Sequence, residues 1–103
     1  MEKQLNSLEK IKQTLRSEMP FLKNRFHINY LGVFGSYVRN EQHELSDIDI
    51  LVDFDPDFYP GYLDFLSLEE YLSDLLKTRV DLVTISSLQK RVGQHILDEV
   101  VAL

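Results

Sequence analysis

Two aspartates, Asp47 and Asp49, stand at the head of an apolar run, Ile50-Leu51-Val52. On an extended strand both would point to one face, about 6.5–7 Å apart, with Ile48, Ile50 and Val52 on the other face. Carboxylates this close raise one another's pKa unless a cation lies between them. Oxygen donors alone, with no cysteine and no paired histidine, suit Mg²⁺ or Mn²⁺. A solvated strand end accounts for a bare Asp-x-Asp equally well. A third acid, Asp81, opens another apolar run, Val80-Asp81-Leu82-Val83. If the two strands are neighbours, Asp81 reaches the Asp47/Asp49 face. Three such carboxylates have room for two ions roughly 3.5–4 Å apart, the arrangement that serves phosphoryl transfer. Taken alone, Asp81 fits an ion pair with Arg79 or Lys77 better than a metal site.

Phe34-Gly35-Ser36 supplies a second kind of chemistry. A strand that ends in Gly-Ser and turns into a short helix presents backbone N–H groups to phosphate oxygens. Gly35 lets the backbone approach a ligand, and the Ser36 hydroxyl adds a donor. A lone Gly-Ser also describes an ordinary helix cap. Neither a G-x-x-x-x-G-K-[ST] nor a G-x-G-x-x-G pattern occurs in the chain.

The surrounding pattern supplies elements to hold these residues. Leu5, Leu8, Ile11 and Leu15 predict a helix over 4–18, closed by Pro20. Ile28 to Phe34 reads as a strand, Ser36 to about His43 as a short helix, and Asp47 to Phe54 as a second strand. Asp55-Pro56-Asp57 and Pro60-Gly61 bracket a loop. A helix is expected over Leu63–Lys77 and a third strand over Val80–Thr84. A last helix follows, capped by Ser86 or Ser87, with Leu88, Val92, Ile96, Leu97, Val100 and Val101 on its apolar stripe. The expected fold is α/β (α+β), a small mixed sheet of about three strands covered by helices, in a single domain spanning 1–103.

Composition narrows the function classes. The 103 residues carry 11 Lys and Arg against 17 Asp and Glu, a net charge of −6. That balance disfavours a direct nucleic-acid surface, which needs a basic face. The absence of cysteine removes disulfides, thiolate zinc sites and a Cys nucleophile. No apolar run approaches the ~20 residues that span a bilayer, and the polar N-terminus resembles no targeting peptide. A cytoplasmic location without membrane contact is the expectation.

Taken together, Gly35-Ser36, ten intervening residues, Asp47-Ile48-Asp49 and a later Asp81 resemble the nucleotidyltransferases of the DNA polymerase beta superfamily. The stand-alone length is similar to the minimal nucleotidyltransferases, and the likeness runs from about Ile28 to Val100. Arg39 and Ser46 match residues common in these proteins, whereas Asn40 stands where many carry Gly. The resemblance implies that Asp47, Asp49 and Asp81 are catalytic and bind Mg²⁺ or Mn²⁺, with two ions plausible. It further implies that Gly35, Ser36 and Arg39 bind the phosphates of a nucleoside triphosphate. Relatives are antitoxins paired with HEPN toxins and move AMP from ATP to a toxin tyrosine. The implied function is therefore Mg²⁺-dependent adenylylation of a HEPN partner, with a homo-oligomer compatible. The alternative is a non-catalytic antitoxin that neutralises its partner by binding alone. Haloacid-dehalogenase-type phosphatases place the apolar strand before their Asp-x-Asp; here the acids come first.

Other residues have blander readings. Arg39 could pair with Glu41 or Glu44 at the surface, and Lys90 and Arg91 read as surface cations. His27, His43 and His95 are dispersed. Asp53, Asp55 and Asp57 read as a solvated loop, Asp53 lying some 13 Å beyond Asp49 at the strand repeat. Tyr30, Phe34, Phe54, Phe65 and Tyr71 are expected in the core, while Tyr59 and Tyr62 either stack on a base or pack.

Overall fold

The computed structural model describes residues 7–39, 41–42, 46–58, 60–87 and 99–103. Helix α1 spans Ser7–Phe26, strand β1 Ile28–Phe34, strand β2 Ile48–Phe54, helix α2 Tyr62–Leu76, strand β3 Val80–Thr84 and strand β4 Val101–Ala102. The sheet has four strands in the order β3-β2-β1-β4. β1 runs antiparallel to both β2 and β4, and β2 runs parallel to β3. A parallel pair needs a crossover, and α2 supplies it.

α1 does not stop at Pro20 but continues to Phe26. Its apolar stripe explains why: Ile11 and Leu15 are followed by Leu22 and Phe26, all buried. An interior proline costs about 3 kcal/mol, and burying Leu22 and Phe26 returns roughly 1.5–3 kcal/mol each. Glu9 in the first turn and Lys23 and Arg25 in the last complement the helix dipole. His27, in the left-handed region at φ 59, ends the helix and donates its N–H to Lys23 O at 3.1 Å. α2 starts at Gly61, whose N–H donates to the Asp64 carboxylate at 2.9 Å, and ends at Lys77, φ 55.

Ile48, Ile50 and Val52 face α1 and α2 and join Ile11, Leu15, Leu22, Val33, Leu68, Leu72, Val80 and Leu82 in one core. On the opposite sheet face, Phe34, Leu51 and Val83 form a smaller cluster with Tyr30, Ile85 and Val100 against it. Phe54, Phe65 and Tyr71 pack against the main core, as expected of aromatics on those patterns. Tyr62 remains 76% exposed, so it does not pack, and Tyr59 lies outside the described residues. Leu15 and Leu63 test this division. Leu15, fully buried, should cost about 3 kcal/mol of unfolding free energy as Leu15→Ala. The exposed Leu63 should change stability by less than about 0.5 kcal/mol as Leu63→Ala. Urea unfolding followed by circular dichroism measures both.

Three further expectations are corrected. Val101, assigned to a helical stripe, lies in the fourth strand, and Val100 immediately precedes it. Gly32 permits this: a Cβ there would sit 2.5 Å from a Val100 methyl, so only glycine lets the C-terminal segment close on β1. The cap at Ile85–Ser87 is Thr84 instead of Ser86 or Ser87, because the Thr84 hydroxyl accepts the Ser87 N–H at 3.2 Å. The short helix after β1 is a single 3-10 turn, Gly35–Tyr37. The helix expected over 88–98, with Lys90, Arg91 and His95, lies outside the described residues, as do Asn40, His43 and Glu44.

Candidate active site

The site is set by strand register. β2 and β3 pair with Asp49 opposite Asp81, on neighbouring strands about 4.8 Å apart. β1 and β2 pair with Phe34 opposite Asp49, so the chain turns at Gly35 directly beside that carboxylate. Asp47 precedes β2, where Ile48 N–H donates to Arg79 O at 2.9 Å and fixes the start of the strand against β3. The outer edge of β3 is held from α2: Ser73 Oγ accepts the Val80 N–H and Glu69 Oε2 the Leu82 N–H, both at 3.0 Å. These bonds flank Asp81 and leave it on the face that carries Asp49. Among the described residues Asp81 forms no ion pair with Arg79 or Lys77.

Gly35 is required twice over. Its φ is +82°, a region costly for any residue with a Cβ. A Cβ there would also overlap the Asp49 carboxylate. Gly35 O accepts the N–H groups of Val38 and Arg39 at 3.1 and 3.2 Å, which closes the turn that carries Ser36 and Arg39.

The electrostatics follow from crowding. Burial, then the charges of Asp81 and Asp47, push the Asp49 carboxyl up to about 6, with Arg39 opposing and Glu99 adding to the rise. Arg39 is the cation beside these acids. Its Nε donates to Glu41 at 2.8 Å, as the surface-pair reading anticipated, and its Nη1 donates to Glu99 Oε1 at 2.5 Å. Those two hydrogen bonds raise the guanidinium further above its ordinary range. Glu99 escaped sequence reasoning altogether: sixty positions separate it from Arg39, and no local spacing signals a contact made by the return of β4.

The donor set can be tested for a divalent ion. Among the described residues no group of three or more Asp, Glu or His closes into a ready-made metal cage. Mg²⁺ is ordinarily held by one or two carboxylates, waters and substrate phosphates in place of an all-protein cage. The half-buried Asp49, crowded by Asp81 and Asp47, fits that pattern, since a shared cation relieves the repulsion between them. Asp53, four positions along β2 from Asp49, makes no ion pair with a described residue; it lies within the strand, opposite Tyr30, and not in the solvated loop expected of it.

The nucleotidyltransferase domain family matches residues 8–103. The protein adenylyltransferase MntA of Thermococcus cleftensis is 50% identical over 95 residues, covering 92% of this chain and 94% of that protein. A solved chain assigned as a minimal nucleotidyltransferase superposes with a TM-score of 0.74 at 30% identity, covering 99% of this chain and 100% of the other. A chain from a toxin–antitoxin complex crystallised with AMP-PNP gives a TM-score of 0.65 at 28% identity, over 95% of this chain and 72% of the other.

Proposed function

Since the chain belongs to the nucleotidyltransferase domain family, we propose that it transfers AMP from ATP to a hydroxyl of a protein partner, the tyrosine of a HEPN toxin. The observation that carries this reading is the register of Asp49 with Asp81, with the Gly35 turn packed on the Asp49 carboxylate. Likeness to a named protein adenylyltransferase and to a chain of a toxin–antitoxin complex crystallised with an ATP analogue supports the donor and the class of acceptor.

In this reading Asp47, Asp49 and Asp81 hold Mg²⁺. The bound metal would supply charge neutralisation at the triphosphate and lower the cost of a developing phenoxide. Gly35 and Ser36 cradle the terminal phosphates, and Arg39 donates to a phosphate oxygen. The acceptor hydroxyl attacks the α-phosphorus in line, a new O–P bond forms, and the bond to the β-phosphate bridge oxygen breaks. Pyrophosphate leaves, and Asp81 takes the hydroxyl proton. Orientation and electrostatic preorganisation are the chain's main contributions.

The test is incubation with labelled ATP, Mg²⁺ and the HEPN protein encoded alongside. Label on a tyrosine of the partner is expected. A partner that stays unlabelled across metal concentrations, yet is neutralised equally well by wild type and by the Asp47→Asn/Asp49→Asn double variant, would replace catalysis with binding alone.

A further inference from the structure

The strongest feature outside the three acids is the pair Arg39–Glu99. Arg39 sits on the turn closed by Gly35 O. Glu99 comes from the other end of the chain and is anchored beside the same strand, because Val101 pairs with Val33 and Val100 packs on Gly32. The Glu99 side chain is only 15% exposed, whereas that of Arg39 is 50% exposed. Two acidic side chains thus converge on the one guanidinium at the rim of the acidic centre, an arrangement that calls for a purpose.

The guanidinium supplies one. It has five N–H donors in a rigid fork. Glu41 takes Nε and Glu99 takes one hydrogen of Nη1, which leaves three donors, including both of Nη2, with no described acceptor. Two carboxylates gripping Nε and Nη1 fix the plane of the fork and leave the Nη2 hydrogens to donate elsewhere. Glu41 is 64% exposed and is a weak hold by itself, whereas Glu99, the less exposed partner, is the firmer one.

We propose that Glu99 is a positioning residue that locks the Arg39 guanidinium, through its Nη1 hydrogen bond, so that the Nη2 donors meet the nucleotide's phosphates. The inference rests on the nucleotide reading above. It makes the segment that leads into β4 part of the nucleotide site, since Glu99 lies two residues before Val101.

Calorimetric binding of the Mg²⁺ complex of AMP-PNP, with KM and kcat for AMP transfer, tests it. Glu99→Ala should weaken analogue binding about ten-fold and raise KM for ATP equally, with kcat within about three-fold, as loss of one oriented charge-assisted contact. Glu99→Gln keeps the accepting oxygen and should restore binding to within about three-fold. Arg39→Ala/Glu99→Ala should bind no more weakly than Arg39→Ala, because the contribution of Glu99 to phosphate binding runs through Arg39. Unchanged or tighter binding by Glu99→Ala, or additive losses in the double variant, would overturn the proposal. A purely structural role would lower the melting temperature of Glu99→Ala without that KM shift or the Gln rescue. Should Glu99→Ala fail to fold, Glu99→Asp, shorter by one methylene, should still weaken binding, and wild-type affinity there would overturn the proposal too. Wild type that binds no AMP-PNP refutes the nucleotide reading itself, whereas tight wild-type binding with an indifferent Glu99→Ala refutes only the role of Glu99.

Discussion

Replacing Asp49 by Asn should lower AMP transfer by on the order of 10³-fold or more while making the metal-free protein more stable. The first effect follows from removing a charged ligand at the point where the β1 turn, β2 and β3 meet; losing one such electrostatic partner typically costs about 4 kcal/mol of transition-state stabilisation. The second follows from the raised pKa. Folded Asp49 keeps its proton up to about pH 6, whereas the unfolded chain releases it near pH ~3.9. Below about pH 4 both states are protonated and the site costs nothing. Between about pH 4 and 6 folding takes up a proton, so stability falls as pH rises, and above about 6 the full penalty is in place. Asp49 is partly solvated, so after allowance for screening the penalty is on the order of 1 kcal/mol. Urea titrations at pH 4 and pH 7 should therefore show Asp49→Asn gaining on wild type at the higher pH only. Added Mg²⁺ should stabilise wild type at pH 7 and leave Asp49→Asn unmoved. A variant that keeps transfer, or shows no pH-dependent gain, contradicts this account of the site.

Gly35→Ala should be nearly as damaging to activity and, unlike Asp49→Asn, damaging to stability. At φ +82° an alanine pays roughly 1–2 kcal/mol of backbone strain. The new methyl also lands on the Asp49 carboxylate, so either the turn or Asp49 must move. A shift of about 1 Å in a reacting group costs on the order of 100-fold in rate. We expect native circular dichroism, a loss of about 1–3 kcal/mol in urea unfolding, and at least a ~100-fold drop in kcat/KM. Near-wild-type transfer by Gly35→Ala would mean that the turn is not part of the reaction centre.

The sequence was most legible where one local signal dominated. Short apolar runs located β1 and β3, and the parity of Ile48, Ile50 and Val52 put Asp49 opposite the core face of β2. The conjunction of Gly35-Ser36 with Asp47, Asp49 and Asp81 pointed to the family that the chain belongs to. Legibility failed where a tertiary contact outweighed a local rule. Pro20 is a stop signal that the burial of Leu22 and Phe26 overrides. Val101 fits a helical stripe, and its strand pairing with Val33, beside a Gly32 backbone that Val100 closely approaches, gives no local signal. Glu99 was invisible for the same reason, since its partner Arg39 is brought to it by that strand. A hydroxyl three residues before a backbone N–H decides a cap, and Thr84 was hidden because it also ends a strand.

The most direct measurement is a crystal structure of this protein with AMP-PNP and Mn²⁺, read by the anomalous signal of the metal. The account predicts manganese bridging the carboxylates at 47, 49 and 81 to the triphosphate, with the terminal phosphates seated on the N–H groups of residues 35 and 36. Nucleotide bound at another face, or manganese ligated without the side chain of residue 49, would contradict it.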